Sequence, residues 1–187
     1  MSIQGLILEH LKERRIMHVP PHFGPQVRHV YATADVFRQL DAGTAEPALQ
    51  EGSAALRGAL DNFSRGNRMV VGARDSKTAN LKILDKSQGV WEIRKRDTPS
   101  TRVFGFFVEH DCFMAIDVHL VSYLLEGNKG WDVTNWLGEK IREIFPNWQR
   151  EIRNTKAIWR NLFLTYPPLT SETLSDYLSY ASDERGL

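Results

Sequence analysis

A single cysteine, Cys112, stands in a chain of 187 residues, so neither a disulfide framework nor a cysteine-based zinc site can form. It falls inside a strand pattern and is expected to be a small core residue. Net charge is nearly absent as well. A formal value of +1 excludes a strongly basic nucleic-acid coat protein and confines any electrostatic role to local patches. The first residues include Glu9, Lys12, Glu13, Arg14 and Arg15 and lack the uninterrupted apolar run of a signal peptide or membrane span, so a cytoplasmic location without membrane contact is expected. Residues 66–72 lack a Gly-Lys-Ser/Thr ending, which leaves nucleotide binding through a P-loop unsupported. No internal repeat and no low-complexity tract is present. His18 and His22 are separated by Pro20 and Pro21, which forbid the regular helix on which the pair would share a metal. Neither a metal nor a cofactor is expected.

What is present is an ordinary globular composition, 42% hydrophobic and 25% charged, at a length that suits one domain with appendages. Residues 3–15 place Ile3, Leu6, Ile7 and Leu11 in a helical stripe that ends before Pro20. Residues 27–32 are expected as a strand and 33–40 as a helix capped by Thr33, with Asp35 in its first turn. Residues 46–63 carry a helical pattern closed by Gly66, which completes a helical hairpin. Residues 80–84 look extended. Three further strand patterns fill residues 90–119, with corners that suggest antiparallel hairpins. Beyond them, residues 132–145, 147–164 and 171–181 are expected as helices separated by Pro146 and by Pro167 and Pro168. With the turn before it, this annex holds Trp131, Trp136, Trp148 and Trp159. The fold class is therefore α+β: an antiparallel meander packed by a helical hairpin, with a C-terminal helical extension. An N-terminal helix and proline-containing linker would span residues 1–26, the core 27–126 and the extension 127–187.

Chemistry is sought first on the meander, because an antiparallel sheet with one packed and one polar face can display arginines to a polyanion. Alternation puts Glu92, Arg94 and Arg96 on one side of their strand, with Trp91, Ile93 and Lys95 on the other. In the last strand it groups Cys112, Met114, Ile116 and Val118 as the core face, so Asp117 and His119 are expected to look outward. Arg102 begins the strand between them. Guanidinium forks bind phosphate bidentately and stabilise charge developing on its oxygens, while His119 or Glu92 could move protons. Cross-strand ion pairing on a wetted sheet accounts for the same residues without chemistry. The basic stripe Arg150, Arg153, Lys156 and Arg160 is expected as a solvated helix face beside Glu151.

Residues 27–123 resemble the RelE/HigB-like toxin family. The similarity lies in the order of elements, in Leu81, Lys82, Ile83 and Leu84, in Gly89, Val90, Trp91, Glu92, Ile93 and Arg94, and in Thr101, Arg102, Val103 and Phe104; this wording is that of the phage-associated HigB-like branch. The resemblance implies a RelE-like core and an endoribonuclease that cleaves messenger RNA, often on the ribosome, by attack of a ribose 2′-hydroxyl on the adjoining phosphate. Arg94 and Arg102 would bind phosphate or stabilise the transition state, and His119 would transfer protons. Arg96, Lys95 and Lys82 would contact RNA. Expected partners are RNA or the ribosome and a helical antitoxin or other protein. Where that branch continues with a lysine-rich segment, residues 120–125 read Leu, Val, Ser, Tyr, Leu and Leu. The alternative is a RelE-fold binding or regulatory protein without catalysis, of phage or mobile-element origin, holding a partner through the aromatics of its annex.

Overall fold

The computed structural model describes residues 2–41, 43–45, 47–72, 78–126, 132–134, 140–142, 146–179 and 181–183. Its first helix, α1 (Ile3–Lys12), begins where the Ser2 hydroxyl accepts from the Gly5 amide, the expected exchange at a helix N-terminus. It stops earlier than the stripe suggests, because Arg14 takes a left-handed φ of 57°. The chain then forms β1 (Ile16–His18) and β2 (His29–Thr33). Thr33 caps α2 (Ala34–Gln39) by accepting from Val36 N, with Asp35 in the first turn, as its sequence position suggests. Next comes α3 (Pro47–Ser64), followed by Gly66 at φ 74°. The strands β3 (Met69–Gly72), β4 (Leu81–Asp85), β5 (Val90–Lys95), β6 (Thr101–Glu109) and β7 (Cys112–Leu120) lead into a short α4 (Val121–Leu125). The remaining elements are β8 (Asp132–Thr134), β9 (Lys140–Arg142), α5 (Pro146–Phe163) and β10 (Ala181–Asp183).

Among the described residues the architecture is α+β, built on a mixed, mostly antiparallel eight-stranded sheet of order β1-β2-β7-β6-β5-β4-β3-β10. The run β4 to β7 is an antiparallel meander. The strand before the helical hairpin, β2, returns to lie parallel to β7, and β3 lies parallel to both β4 and β10.

Two expected helices are corrected. Residues 132–134 and 140–142 pair as antiparallel strands; Val133, Thr134 and Ile141 are β-branched, and that chemistry prevails over the helical spacing. The remaining residues of the expected helix at 132–145 lie outside those described. Over 171–181 a 3-10 turn, Leu174–Asp176, is followed by the edge strand β10. Tyr177 and Leu178 are buried there against the sheet, and tertiary packing sets the conformation of so short a segment.

The largest correction concerns the sheet faces. Instead of one packed and one polar face, both are covered. On one side, Val36 and Leu40 of α2 and Leu56, Leu60 and Phe63 of α3 pack on Trp91, Ile93, Val103, Phe107 and Phe113. On the other, Ile7 of α1 and Ile152, Trp159 and Phe163 of α5 pack on Val90, Phe104, Phe106 and Met114. Trp91 has no exposed surface and meets Tyr177 edge-on at 4.9 Å. Burial of such a ring contributes about 1.5–3 kcal/mol. Trp159 is likewise buried, against Phe106 at 4.8 Å, and donates its indole N–H to Tyr166 O, so it serves the core rather than a partner; Trp131 and Trp136 lie outside the described residues.

The fully buried Arg28 ties the ends of these layers together. It donates to Asp111 in the β6–β7 corner, to Phe63 O and Asn67 O after α3, and to Ser179 O near the C-terminus. Burial lowers its pKa and Asp111 pulls the other way. Among the described residues, no helix is long and apolar enough to cross a membrane.

Cys112 occupies the core as expected, and burial first, with Glu109 second, pushes its thiol up from 9.0 to about 12. A thiol with a raised native pKa contributes stability that is complete below pH 9.0 and lost as the pH rises towards 12. A disulfide-exchange reagent at pH 8 should therefore leave Cys112 intact in the native chain and modify it promptly in denaturant. Prompt native-state modification would contradict this placement.

Candidate active site

The expected alternation of β7 fails at one residue, and that failure builds the site. Phe104 pairs with Asp117 while Gly105 pairs with Ala115, leaving Ile116 as the extra residue of a β-bulge. A Cβ on Gly105 would lie 2.1 Å from Met114 O and 2.6 Å from the Phe113 ring, so only glycine admits this close approach. As a result Cys112, Met114 and Ile116 pack on the α5 side, whereas Val118 joins the α3 side. Asp117 and His119 are thereby turned to the α5 side.

The register then sets Arg94 opposite Arg102 and Arg102 opposite His119, in one row across β5, β6 and β7. The adjoining row runs Lys82, Glu92, Phe104 and Asp117 across β4 to β7. These side chains share the face covered by α5, and they are not displayed in the open as the sequence suggests. Glu92 has no exposed surface. Its carboxylate lies 3.5 Å from Arg94 Nε, 3.7 Å from Arg102 Nε and 3.9 Å from Lys82 Nζ. Arg102 is 6% exposed and donates from Nη1 to Thr101 O, Lys95 O and Ser100 Oγ at 2.9, 3.1 and 3.3 Å. Burial lowers its pKa to about 10; Glu92 opposes that shift, while Arg94 and Arg96 reinforce it. Any anion that reached this guanidinium would relieve it.

The three residues expected to contact RNA separate. Lys82 is buried beside Glu92. Lys95 is buried towards the β5–β6 turn, where its Nζ donates to Pro99 O at 2.8 Å and also to Asp97 O. These two bonds close the turn. Arg96 lies just past the end of β5 and is exposed, and its guanidinium joins that of Arg94 on Ala79 O, at 2.7 and 3.1 Å.

His119 sits between two rings, edge-on to Phe104 at 5.5 Å and stacked on Tyr123 at 5.6 Å. Its Nε2 lies 3.1 Å from Asp117 Oδ2 and 3.9 Å from Glu151 Oε2. Glu151, on α5, accepts from Tyr123 Oη, Arg150 Nε and Asn154 Nδ2 at 2.7, 2.9 and 2.7 Å. Burial would raise its pKa, but these three bonds and the nearby His119 outweigh it and hold the carboxyl below its ordinary value. Glu151 was legible only as a neighbour of the basic stripe. Its signal is that it is the lone acidic residue of α5, placed among Trp148, Ile152, Thr155 and Trp159 on the helix face that meets the sheet. Of the stripe itself, Arg150 turns to Glu151 and Tyr123, and Lys156 pairs with Asp85, while Arg153 and Arg160 are solvated as expected.

No protein-family model, curated protein or solved structure matches this chain. The chemistry of the site therefore rests on its own geometry: two guanidinium groups suited to phosphate oxygens, and beside them an imidazole held between two carboxylates.

Removing the charge of Glu92 leaves neighbouring buried cations uncompensated. Glu92→Gln is expected to destabilise the fold by about 3–5 kcal/mol in urea unfolding. Gly105→Ala should cost about 2–3 kcal/mol through overpacking at the bulge. A loss below measurement error in either variant would contradict the contacts described.

Proposed function

We propose that this chain is an endoribonuclease on a RelE-like scaffold that cleaves messenger RNA by attack of a 2′-hydroxyl on the adjoining phosphate. The observation that carries this reading is the single row Arg94, Arg102 and His119, in register on three adjacent strands of one face. The order of strand β2, helical hairpin and, after the added strand β3, the antiparallel meander β4 to β7 supports the family resemblance. In the reaction, the 2′-oxygen forms a bond to phosphorus and the bond from phosphorus to the 5′-oxygen breaks. The proton of the 2′-hydroxyl passes to a base, and the departing 5′-oxygen takes up a proton from an acid. His119 supplies one of these transfers, oriented by Asp117, and Arg94 and Arg102 stabilise the charge that develops on the phosphate oxygens. To take them, the phosphate competes with Glu92 for its guanidinium partners. Arg96, exposed at the end of β5, guides the polyanion inward.

A second reading has its own observation in its favour. Glu92 is fully buried among Lys82, Arg94 and Arg102, and Arg102 itself is 6% exposed, which suits a binding or regulatory protein in which the same charges only hold strands together.

Expression of the wild type should arrest growth and fragment cellular RNA. Arg94→Ala, Arg102→Ala and His119→Ala should each weaken cleavage by about 10²–10³-fold. Because Arg102→Ala also strips a partner from the buried Glu92 and should destabilise the fold by about 3–5 kcal/mol, cleavage is compared at a temperature where circular dichroism shows every variant folded. Equal and negligible RNA damage by all four proteins would remove the nuclease reading and leave the second.

A further inference from the structure

The polar cluster beneath the N-terminal half of α5 has a property that proton transfer does not require. One oxygen each of Asp117 and Glu151 and one nitrogen of His119 lie within 4.8 Å of one another. Ligands bonded to a metal at about 2.1 Å lie up to about 4.2 Å apart across it, and the two separations from His119 Nε2, 3.1 and 3.9 Å, already fall inside that limit. Independently, His119 Nε2 is cut off from solvent and, among the described residues, makes no aligned hydrogen bond, although it faces both carboxylates with Asp117 Oδ2 at 3.1 Å. A metal bound there would take the place of the ring proton on Nε2.

The surroundings resemble the supporting shell of a metal site. Phe104 and Tyr123 clamp the imidazole plane. Asn154 fixes the Glu151 oxygen that faces His119, while Arg150 and Tyr123 engage the other oxygen. One imidazole and two carboxylates neutralise a divalent charge and suit zinc-type ions better than calcium.

We infer that Asp117, His119 and Glu151 bind a divalent transition-metal ion of the Zn²⁺ type, and that this ion competes with proton transfer by occupying His119 Nε2. The competition rests on the nuclease reading; metal binding does not.

The test uses the full chain and Zn²⁺ alone. Calorimetric titration should show one Zn²⁺ per chain, weakened at least about tenfold in His119→Asn and in Glu151→Gln and unchanged in His18→Asn. In the unmodified chain, Co²⁺ should produce visible absorption and paramagnetic shifts of the His119 ring resonances, a readout that needs no variant. Absence of binding, equal binding by all variants, or an unperturbed His119 ring would overturn the site. If the wild type cleaves RNA, Zn²⁺ should suppress cleavage over the range in which it binds, and a chelator should restore it. Full cleavage at saturating Zn²⁺ overturns the competition. Normal Zn²⁺ binding by a chain that never cleaves RNA supports the site and removes the nuclease reading instead.

Discussion

A sheet covered by helices on both faces must settle its charges internally, and in this chain that task falls to Glu92. Water cannot solvate a carboxylate with no exposed surface, so a charge at that position requires cations beside it. Arg94, Arg102 and Lys82 approach it from its own strand and both neighbours. The arrangement sets the side chains of β4, β5 and β6 relative to one another, and it places the guanidinium groups of Arg94 and Arg102 against a protein carboxylate.

The second constraint is steric. Gly105 lets β6 and β7 approach so closely that Ile116 is squeezed out of the ladder. The parity of β7 changes at that point, and Asp117 and His119 come to lie beside Phe104 and Arg102 instead of across the sheet from them. From the opposite layer α5 then lowers Glu151 onto the same imidazole. A backbone irregularity, a buried ion cluster and one helix contact thus bring Arg94, Arg102, Asp117, His119 and Glu151 together in a single place. The short hydrogen-bonded circuit of Tyr123, Arg150 and Glu151 closes that place on the side of α4.

Much of the core was legible in the sequence because local rules govern it. Thr33 announced α2, Gly66 announced the end of α3, and alternation exposed the strands of the meander. The faces were misjudged for a physical reason. Period-two counting assumes an unbroken ladder, and Ile116 breaks it. The polar letters of β5 suggested a wetted surface, whereas Glu92 and its cations lie together in the interior, a placement that composition cannot distinguish from an exposed one. The strand β3 and the edge strand β10 lie parallel, joined by contacts distant in sequence, so no local pattern reports them. Glu151 meets His119 only through the packing of α5 on the sheet, and spacing along the chain carries no trace of that meeting.

The central claim is that the row formed by Arg94, Arg102 and His119 breaks RNA by internal attack, and the ends of the products report on it most directly. Purified chain is incubated with a defined messenger RNA, free and on translating ribosomes, and the new termini are analysed. The account predicts 2′,3′-cyclic phosphate and 5′-hydroxyl ends that appear with the wild type and vanish with His119→Ala. Intact RNA under both conditions, or the same ends generated equally by His119→Ala, would contradict it.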